Sequence, residues 1–203
     1  MYKRFIGFFM ILVICMIVPF EGYAATPRET VENGVNKVLK ILNDPAFRAK
    51  TRDEKIAKIA TEIDAIFDFE ELSKRTLGRD WKKMKAERQE EFVTLFKKLL
   101  QGVYADRLLA YSDQKVIFEK ELMLKEGRAE VQSYILSAEG SKIPLFYRLT
   151  DKSGSWKTYD MIIEGVSLVK NYRTQFREVL ANDSPEKLIE ILREKVNKGE
   201  SVE

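Results

Sequence analysis

The chain has 203 residues, with 35 basic and 32 acidic side chains and a formal net charge of +3. It contains no His, and its single Cys, Cys15, lies near the N-terminus. The chain after Cys15 therefore offers no His- or Cys-based catalytic group, no His/Cys zinc site and no intrachain disulfide. The near balance of charges also argues against a nucleic-acid-binding protein.

Residues 1–24 have the pattern of a secretory signal peptide. A basic start precedes the apolar run Phe5–Val18, and Gly22 and Ala24 supply the small residues before the predicted cleavage site. A transmembrane anchor is the alternative, but a membrane span needs about 20 apolar residues, and this run is shorter. We expect the segment to be cleaved on export of the chain.

The first part of the mature chain is predicted to be helical, because its apolar residues recur at helical spacing. Thr26 and Thr51 are followed by the polar residues of a helix start, and Asp68 is in position to cap a short helix. The longest predicted helix runs from Ala86 to about Tyr111. Two further helices, 167–180 and one beginning near residue 184, are predicted near the C-terminus.

The middle of the chain changes to the alternation that is typical of strands. The four predicted strands are Lys115–Leu124, Arg128–Ala138, Lys142–Asp151 and Ser155–Ile163. The breaks between them are so short that they can join only antiparallel neighbours. The order of helices, strands and helices predicts one α+β domain over residues 25–197, followed by a disordered tail at residues 198–203.

Both faces of the predicted sheet carry large apolar side chains. In the third strand Leu145 and Tyr147 share one face with Ile143, whereas Phe146 points to the other. Two interpretations remain open at this point. Helices cover both sides of the sheet and these are ordinary core residues, or the sheet is strongly curved and its concave face encloses an apolar cavity.

Asp160 and Glu164 are the carboxylates with the best claim to catalysis, because they lie close together at the end of the fourth strand. Two carboxylates can carry out acid/base chemistry. The alternative is that they bond to backbone groups at the turn into the following helix, and we assign them to this structural role.

Three segments of the chain resemble one known family. They are Phe67–Trp81, Phe92–Leu108 and, most specifically, Trp156–Leu168, which contains the pattern W-x-x-Y-D-x-x-x-E-G-V-S. On these segments the chain resembles the MlaC-like periplasmic phospholipid-binding proteins, also called toluene-tolerance proteins and ABC-transport auxiliary proteins. The resemblance extends over about residues 27–197.

The resemblance implies a curved four-stranded antiparallel sheet packed with helices around an apolar cavity, as in nuclear-transport-factor-like folds. It also implies a periplasmic, non-enzymatic carrier without cofactor or metal. Such a carrier binds a phospholipid by its acyl chains. It shuttles the lipid through transient contacts between an outer-membrane lipoprotein complex and an inner-membrane ABC transporter complex. We expect a monomer. The alternatives are another apolar cargo such as a hopanoid, a small carboxylate-dependent enzyme, and a structural adaptor.

The residues predicted to line the cavity are apolar or aromatic and follow from their face and from the family motif. They are Phe96, Leu100 and Tyr104 on the long helix, Leu145, Tyr147, Tyr159 and Met161 on the sheet, and Val166 and Leu168 near the cavity mouth. For each of them ordinary core packing is the alternative. Lys142 and Arg148 are weaker candidates for contact with a head-group phosphate, and a solvated strand edge is the alternative for both.

Overall fold

The structure is a computed structural model that describes residues 25–111, 114–137 and 139–198. The predicted signal peptide lies outside this part of the chain, as do residues 199–203 of the predicted tail. Lys198, the first residue of that predicted tail, is instead the last residue of a helix.

Seven α-helices and five β-strands form an α+β fold in the described ranges. The helices are α1 (Pro27–Leu42), α2 (Pro45–Arg48), α3 (Arg52–Ile66), α4 (Phe69–Leu77), α5 (Ala86–Leu109), α6 (Leu168–Leu180) and α7 (Pro185–Lys198), with a 3₁₀ helix at Asp80–Lys83. The strands are β1 (Lys115–Lys125), β2 (Arg128–Leu136), β3 (Lys142–Lys152), β4 (Ser155–Ile163) and β5 (Val166–Ser167).

Local capping explains why the first helices begin where they do. The Thr26 hydroxyl accepts from the Glu29 N–H at 3.1 Å, and the Glu29 carboxylate accepts from the Thr26 N–H at 2.9 Å. Thr51 and Glu54 form the same reciprocal pair at the start of α3. Each pair satisfies N–H groups that a helix start leaves without a partner. The short helix α2 is not among the predicted helices; it begins at Pro45, where the Asp44 side chain accepts from the Ala46 N–H.

The strands form one antiparallel sheet in the order β1–β2–β3–β4–β5. The meander confirms the predicted pairing, but the prediction of four strands is wrong by one. Glu164 and Gly165 have φ values of +52° and +83° and make a tight turn. This turn folds Val166 and Ser167 back onto β4, where they pair with Ile163 and Ile162 as a fifth, very short strand.

Helix α1 packs on one face of the sheet, here called the inner face. Val31 of α1 contacts a buried apolar cluster that includes Val131, Leu145, Tyr147 and Leu149. The opposite, outer face carries charged side chains such as Glu130 and Arg148, joined by an ion pair. The outer face of the central strands is thus partly polar rather than uniformly apolar.

A second apolar cluster lies among the C-terminal helices and α5. The rings of Phe92 and Phe96 on α5 pack edge-on against Phe176 on α6, with centroid separations of 5.5 and 5.2 Å. Tyr172 stacks edge-on against Phe96 at 4.9 Å. Such edge-to-face contacts add to the gain from burial of the rings, so these helices form a firm support beside the sheet. None of the described helices is long and apolar enough to cross a membrane.

We expect opposite stability effects from the same substitution at two helical glycines. A Cβ on Gly34 of α1 would lie 2.5 Å from the Ile66 side chain of α3, whereas a Cβ on Gly102 of α5 would meet nothing within 4 Å. Gly34→Ala should lower the free energy of unfolding by about 1–3 kcal/mol through overpacking. Gly102→Ala should raise it by about 0.5–1 kcal/mol. Urea unfolding of both variants tests the pair, and a gain in stability at Gly34 would contradict the close α1–α3 contact.

The stability of the α5–α7 contact should depend on pH. Side-chain hydrogen bonds from Arg193 and then Arg88 hold the pKa of Glu91 below its ordinary value of 4.5. The ionised carboxylate therefore stabilises the fold above pH 4.5, and this contribution is lost as the pH falls through the lowered pKa. Glu91→Gln should lower the stability by up to about 1 kcal/mol at pH 7. The difference between variant and wild type should vanish in acid, and a difference that is constant with pH would contradict the ion pair.

Candidate functional site

Four of the inner-face side chains on β3 and β4 lie directly opposite one another. Tyr147 pairs with Met161, and Leu145 pairs with Ile163. Directly opposed residues of an antiparallel pair point to the same face, so all four side chains belong to the inner face. The structure therefore brings together three predicted residues, Leu145, Tyr147 and Met161, and adds Ile163.

Met161 and Ile163 connect the two apolar clusters. Both are half-buried, and both pack against the sheet–α1 cluster and against the helical cluster of α4, α5, α6 and α7. We call the place where the two clusters meet at these side chains the junction. Of the predicted residues on α5, Phe96 and Leu100 are buried members of the helical cluster, and Tyr104 packs against it half-buried.

The phenols near the junction are held in the neutral form. Burial raises the pKa of Tyr147 well above its ordinary range, and a hydrogen bond with Ser133 opposes this only in part. Burial also raises the pKa of Tyr104, and the pKa of Tyr172 is raised by burial and by the nearby Tyr104. The side chains around the junction are therefore aliphatic or uncharged aromatic groups, which suit an apolar ligand rather than an ion.

Tyr159 does not join the other predicted residues, which corrects the prediction that it lines the sheet side with Tyr147. A register irregularity between β3 and β4 pairs Arg148 with Asp160 but Leu149 with Thr158, so Tyr159 has no partner of its own. Such an extra residue re-aims its side chain. The Tyr159 ring contacts the guanidinium of Arg128, which is on the outer face.

Two arginine side chains contact the Tyr159 ring on the outer face. The guanidinium carbons of Arg75 and Arg128 lie 4.0 and 5.0 Å from the centre of its ring. Both guanidiniums also pair with the carboxylate of Glu71 on α4, at 2.7 and 3.5 Å. These cation–π contacts and ion pairs connect α4 to β2 and β4, so Tyr159 has a structural role here.

Val166 and Leu168 lie close together in sequence but differ in burial. Val166 is 56% exposed, although its partner Ile163 places its side chain on the inner face. Leu168, the first residue of α6, is buried in the helical cluster. Val166 is thus an exposed apolar side chain at the margin of the junction, and Leu168 is part of its support.

The two head-group candidates lie on the face opposite to Leu145 and Tyr147. The Arg148 guanidinium pairs with Glu130 at 3.0 Å and with Asp160 at 3.8 Å. Lys142 is exposed, with its ammonium 4.3 Å from the centre of the Tyr134 ring. The structure does not bring either cation to the junction.

Asp160 and Glu164 do not converge on a common pocket. The Asp160 carboxylate is buried and accepts from the Ser167 hydroxyl at 2.7 Å and from the Val169 N–H at 3.0 Å. Glu164 is an exposed turn residue. Their arrangement supports the structural role assigned from sequence for Asp160. In the described residues no group of three or more His, Cys, Asp or Glu side chains is placed to hold a metal ion.

The model of the MlaC protein family matches residues 32–194. The chain belongs to the MlaC family. Among curated proteins, this MlaC family member is 34% identical over 108 residues to the intermembrane phospholipid transport system binding protein MlaC of Haemophilus influenzae. That match spans 51% of this chain and only 50% of the Haemophilus protein.

Two further relatives cover more of the MlaC domain. The toluene tolerance protein ttg2D of Pseudomonas putida is 24% identical over 173 residues, which is 84% of this chain and 80% of that protein. A phospholipid-binding protein of Ralstonia solanacearum, solved in complex with a phospholipid, superposes with a TM-score of 0.79 at 26% identity. The superposition covers 86% of this chain and 99% of the Ralstonia chain.

Asp160→Asn should destabilise the fold by about 1–3 kcal/mol, because an amide can no longer accept from both Ser167 and Val169. The exposed Glu164→Gln is the matched control, and we expect it to change stability by less than about 0.5 kcal/mol. Chemical unfolding of both variants measures the difference. Equal, negligible effects would show that Asp160 does not anchor the start of α6.

Proposed function

We propose that the chain is a periplasmic carrier that binds a phospholipid by its acyl chains. The acyl chains would lie against the inner face of the sheet, next to the junction. The observation that carries this proposal is the similarity to the Ralstonia protein, because that fold was solved with a phospholipid bound and almost the whole of it is matched.

The chemistry around the junction supports an acyl ligand. Leu145, Met161 and Ile163 supply flexible or branched aliphatic surface, and Phe118 stacks on Tyr147 with a centroid separation of 6.4 Å. Thioether and aliphatic groups adapt to irregular apolar shapes. The charged groups that flank the sheet, Arg148 and Asp160 among them, are engaged with each other on the outer face. An acyl chain on the inner face would therefore displace little water from charged groups.

Transfer rather than tight storage is the physical task of such a carrier. Burial of a CH₂ group is worth about 0.8 kcal/mol. A two-chain lipid with about 30 such groups thus gains on the order of 24 kcal/mol on leaving water. A bilayer offers nearly the same gain, so a wall of comparable apolarity lets the lipid move in either direction without a chemical step. The head group would stay in water, which limits selection among phospholipids.

The proposed route follows from the family and from the predicted export signal. The chain would receive and deliver its lipid through transient contacts with an outer-membrane lipoprotein complex and an inner-membrane ABC transporter complex. The name of the Haemophilus relative, a binding protein of an intermembrane phospholipid transport system, supports this role. The separate positions of Asp160 and Glu164 argue against the carboxylate-enzyme alternative.

The proposal is tested by native mass spectrometry of the protein purified from the periplasm without detergent. We expect an adduct of about one lipid per chain, and organic extraction should release a phospholipid. A hopanoid or another apolar adduct would support the carrier role but show that the cargo is not a phospholipid. A bare protein that stays bare after incubation with liposomes would contradict the proposal.

Val166→Glu should abolish lipid retention while leaving the fold intact. Val166 is exposed, so the substitution creates no buried charge in the lipid-free protein. In the lipid-bound protein the carboxylate would lie beside the acyl chains, where an uncompensated charge costs several kcal/mol. We expect the lipid content per chain to fall at least about tenfold, since each 1.4 kcal/mol is a factor of ten.

Two control variants separate this effect from a general loss of surface apolarity. Val166→Thr keeps the size and adds no charge, so its lipid content should stay near that of the wild type. Leu122→Glu places the same charge on another exposed apolar residue, at the far edge of the sheet, and should also keep the lipid. Normal lipid content in a folded Val166→Glu protein would refute the position assigned to Val166.

A further inference from the structure

The positive charge of the chain is concentrated in one segment. Residues 37–58 carry seven basic and three acidic side chains, whereas the rest of the chain after residue 24 carries 26 basic and 28 acidic ones. The segment therefore has a net charge of +4, and the remainder is slightly acidic. Its seven cations are Lys37, Lys40, Arg48, Lys50, Arg52, Lys55 and Lys58.

The fold gathers this segment at one end of the pair formed by α1 and α3. The two helices run antiparallel: Gly34 near the middle of α1 lies against Ile66 at the end of α3, and Leu42 at the end of α1 shares a buried cluster with Ile59 of α3. The last turns of α1, the short α2 and the first turns of α3 are thus neighbours. We call this end of the helix pair, residues 37–58, the basic end.

The cations of the basic end are open to solvent. All of them are exposed except Lys55, which is half-buried. The Arg52 guanidinium pairs with Asp106 of α5 at 3.0 Å, and the other six cations form no salt bridge within the part of the chain that the structure describes. Two of the three acids, Asp44 and Glu54, accept from backbone N–H groups at the starts of α2 and α3. The positive potential of the basic end therefore extends into the solvent.

The basic end lacks the apolar anchor of a shaped protein-binding site. Specific protein interfaces usually centre on a few large side chains packed in pockets. The one aromatic residue of the basic end, Phe47, is 4% exposed and belongs to the buried cluster. The exposed large apolar side chains in the described ranges lie elsewhere, at Leu122, Met123, Leu124 and Val166. Flexible cations without such an anchor suit a smooth anionic surface, such as a layer of phospholipid head groups.

The basic end and Val166 lie toward the same end of the molecule. Leu109, the last residue of α5, packs against the cluster beneath the basic end, and β1 begins soon afterwards at Lys115. The beginnings of β1 and β3 are at the same end of the sheet. Val166 pairs with Ile163, which is opposite Leu145 near the beginning of β3. Docking through the basic end would thus bring the margin of the junction toward the docked surface.

We propose that the basic end is the surface by which this chain docks on an anionic phospholipid bilayer. The contact is electrostatic and does not insert into the bilayer, because no exposed large apolar side chain accompanies the cations. Docking would hold the protein beside the bilayer with Val166 on the near side. This inference goes beyond the proposed function, since docking requires no lipid inside the protein.

Electrostatic docking has a defined dependence on salt and on the number of cations. Each cation near an anionic membrane contributes roughly a factor of five to the binding constant. A change from about 0.1 M to about 1 M salt shortens the Debye length from about 10 Å to about 3 Å. We therefore expect the binding constant to fall at least about tenfold over this range of salt.

Cosedimentation of the periplasmically purified protein with vesicles tests the proposal. The probe vesicles contain phosphatidylglycerol and phosphatidylcholine, and vesicles of phosphatidylcholine alone are the uncharged reference. The double variant Lys37→Gln with Lys50→Gln removes two cations and should weaken binding to the anionic vesicles by about 25-fold. The charge reversal Lys37→Glu with Lys50→Glu should weaken it further.

A matched control makes the same change of net charge at the other end of α5. Lys82 and Lys85 are exposed and lie at the start of α5, whose 24 residues span about 36 Å. This distance is several Debye lengths at about 0.1 M salt. Lys82→Glu with Lys85→Glu should therefore bind the vesicles as the wild type does. Circular dichroism and urea unfolding confirm that all variants are folded.

The outcomes separate docking from cargo binding. The proposal is overturned by a wild type that does not bind anionic vesicles at about 0.1 M salt, or that binds phosphatidylcholine vesicles equally well. Equal losses in the basic-end and control variants, or association with an acidic protein without vesicle binding, also overturn it. Native mass spectrometry of the same samples reports the lipid content. A lipid-free protein that docks would contradict only the carrier function, and a lipid-filled protein that does not dock would contradict only this inference.

Discussion

The buried carboxylate of Asp160 holds together the part of the molecule on which the rest of the fold depends. It joins β4 to Ser167 and to the backbone of Val169, and thereby fixes the direction in which α6 leaves the sheet. That direction brings Phe176 and Tyr172 against Phe96 on α5. A buried carboxylate is tolerated only when its oxygens are satisfied, so the turn, the short β5 and the start of α6 must form together.

The two faces of the sheet differ in their chemistry. The outer face carries ion pairs between neighbouring strands, among them Arg148 with Glu130. The inner face carries aliphatic side chains and phenols kept neutral by burial. Met161 and Ile163 belong to the inner face and also contact the helical cluster. The proposed lipid site is therefore next to the junction, where two apolar clusters meet at uncharged side chains.

Local signals predicted much of this fold. Thr26, Thr51 and Asp68 mark helix starts through hydrogen bonds within three residues, and such short-range chemistry is readable from sequence. The alternation of residues also predicted that Leu145 and Tyr147 share a face. It failed at Tyr159, because a single irregularity in pairing changes the face of a side chain, and no residue type marks that irregularity. The strand Val166–Ser167 is too short for periodicity to reveal.

The same limits apply to the candidate site. Sequence indicated Phe96, Leu100 and Met161 because their spacing is helical or alternating, but burial alone does not distinguish a ligand wall from a core. Ile163 was missed as a site residue, because its position opposite Leu145 depends on the register of β3 and β4, which the sequence does not reveal.

The stack of Arg75, Tyr159 and Arg128 has a mechanical consequence. By connecting α4 to β2 and β4 across the outer face, it acts as a brace that resists bending of the sheet away from its helices. For the proposed lipid, we therefore expect any extra space beside the inner face to come from outward displacement of α1 or α5 rather than from bending of the sheet.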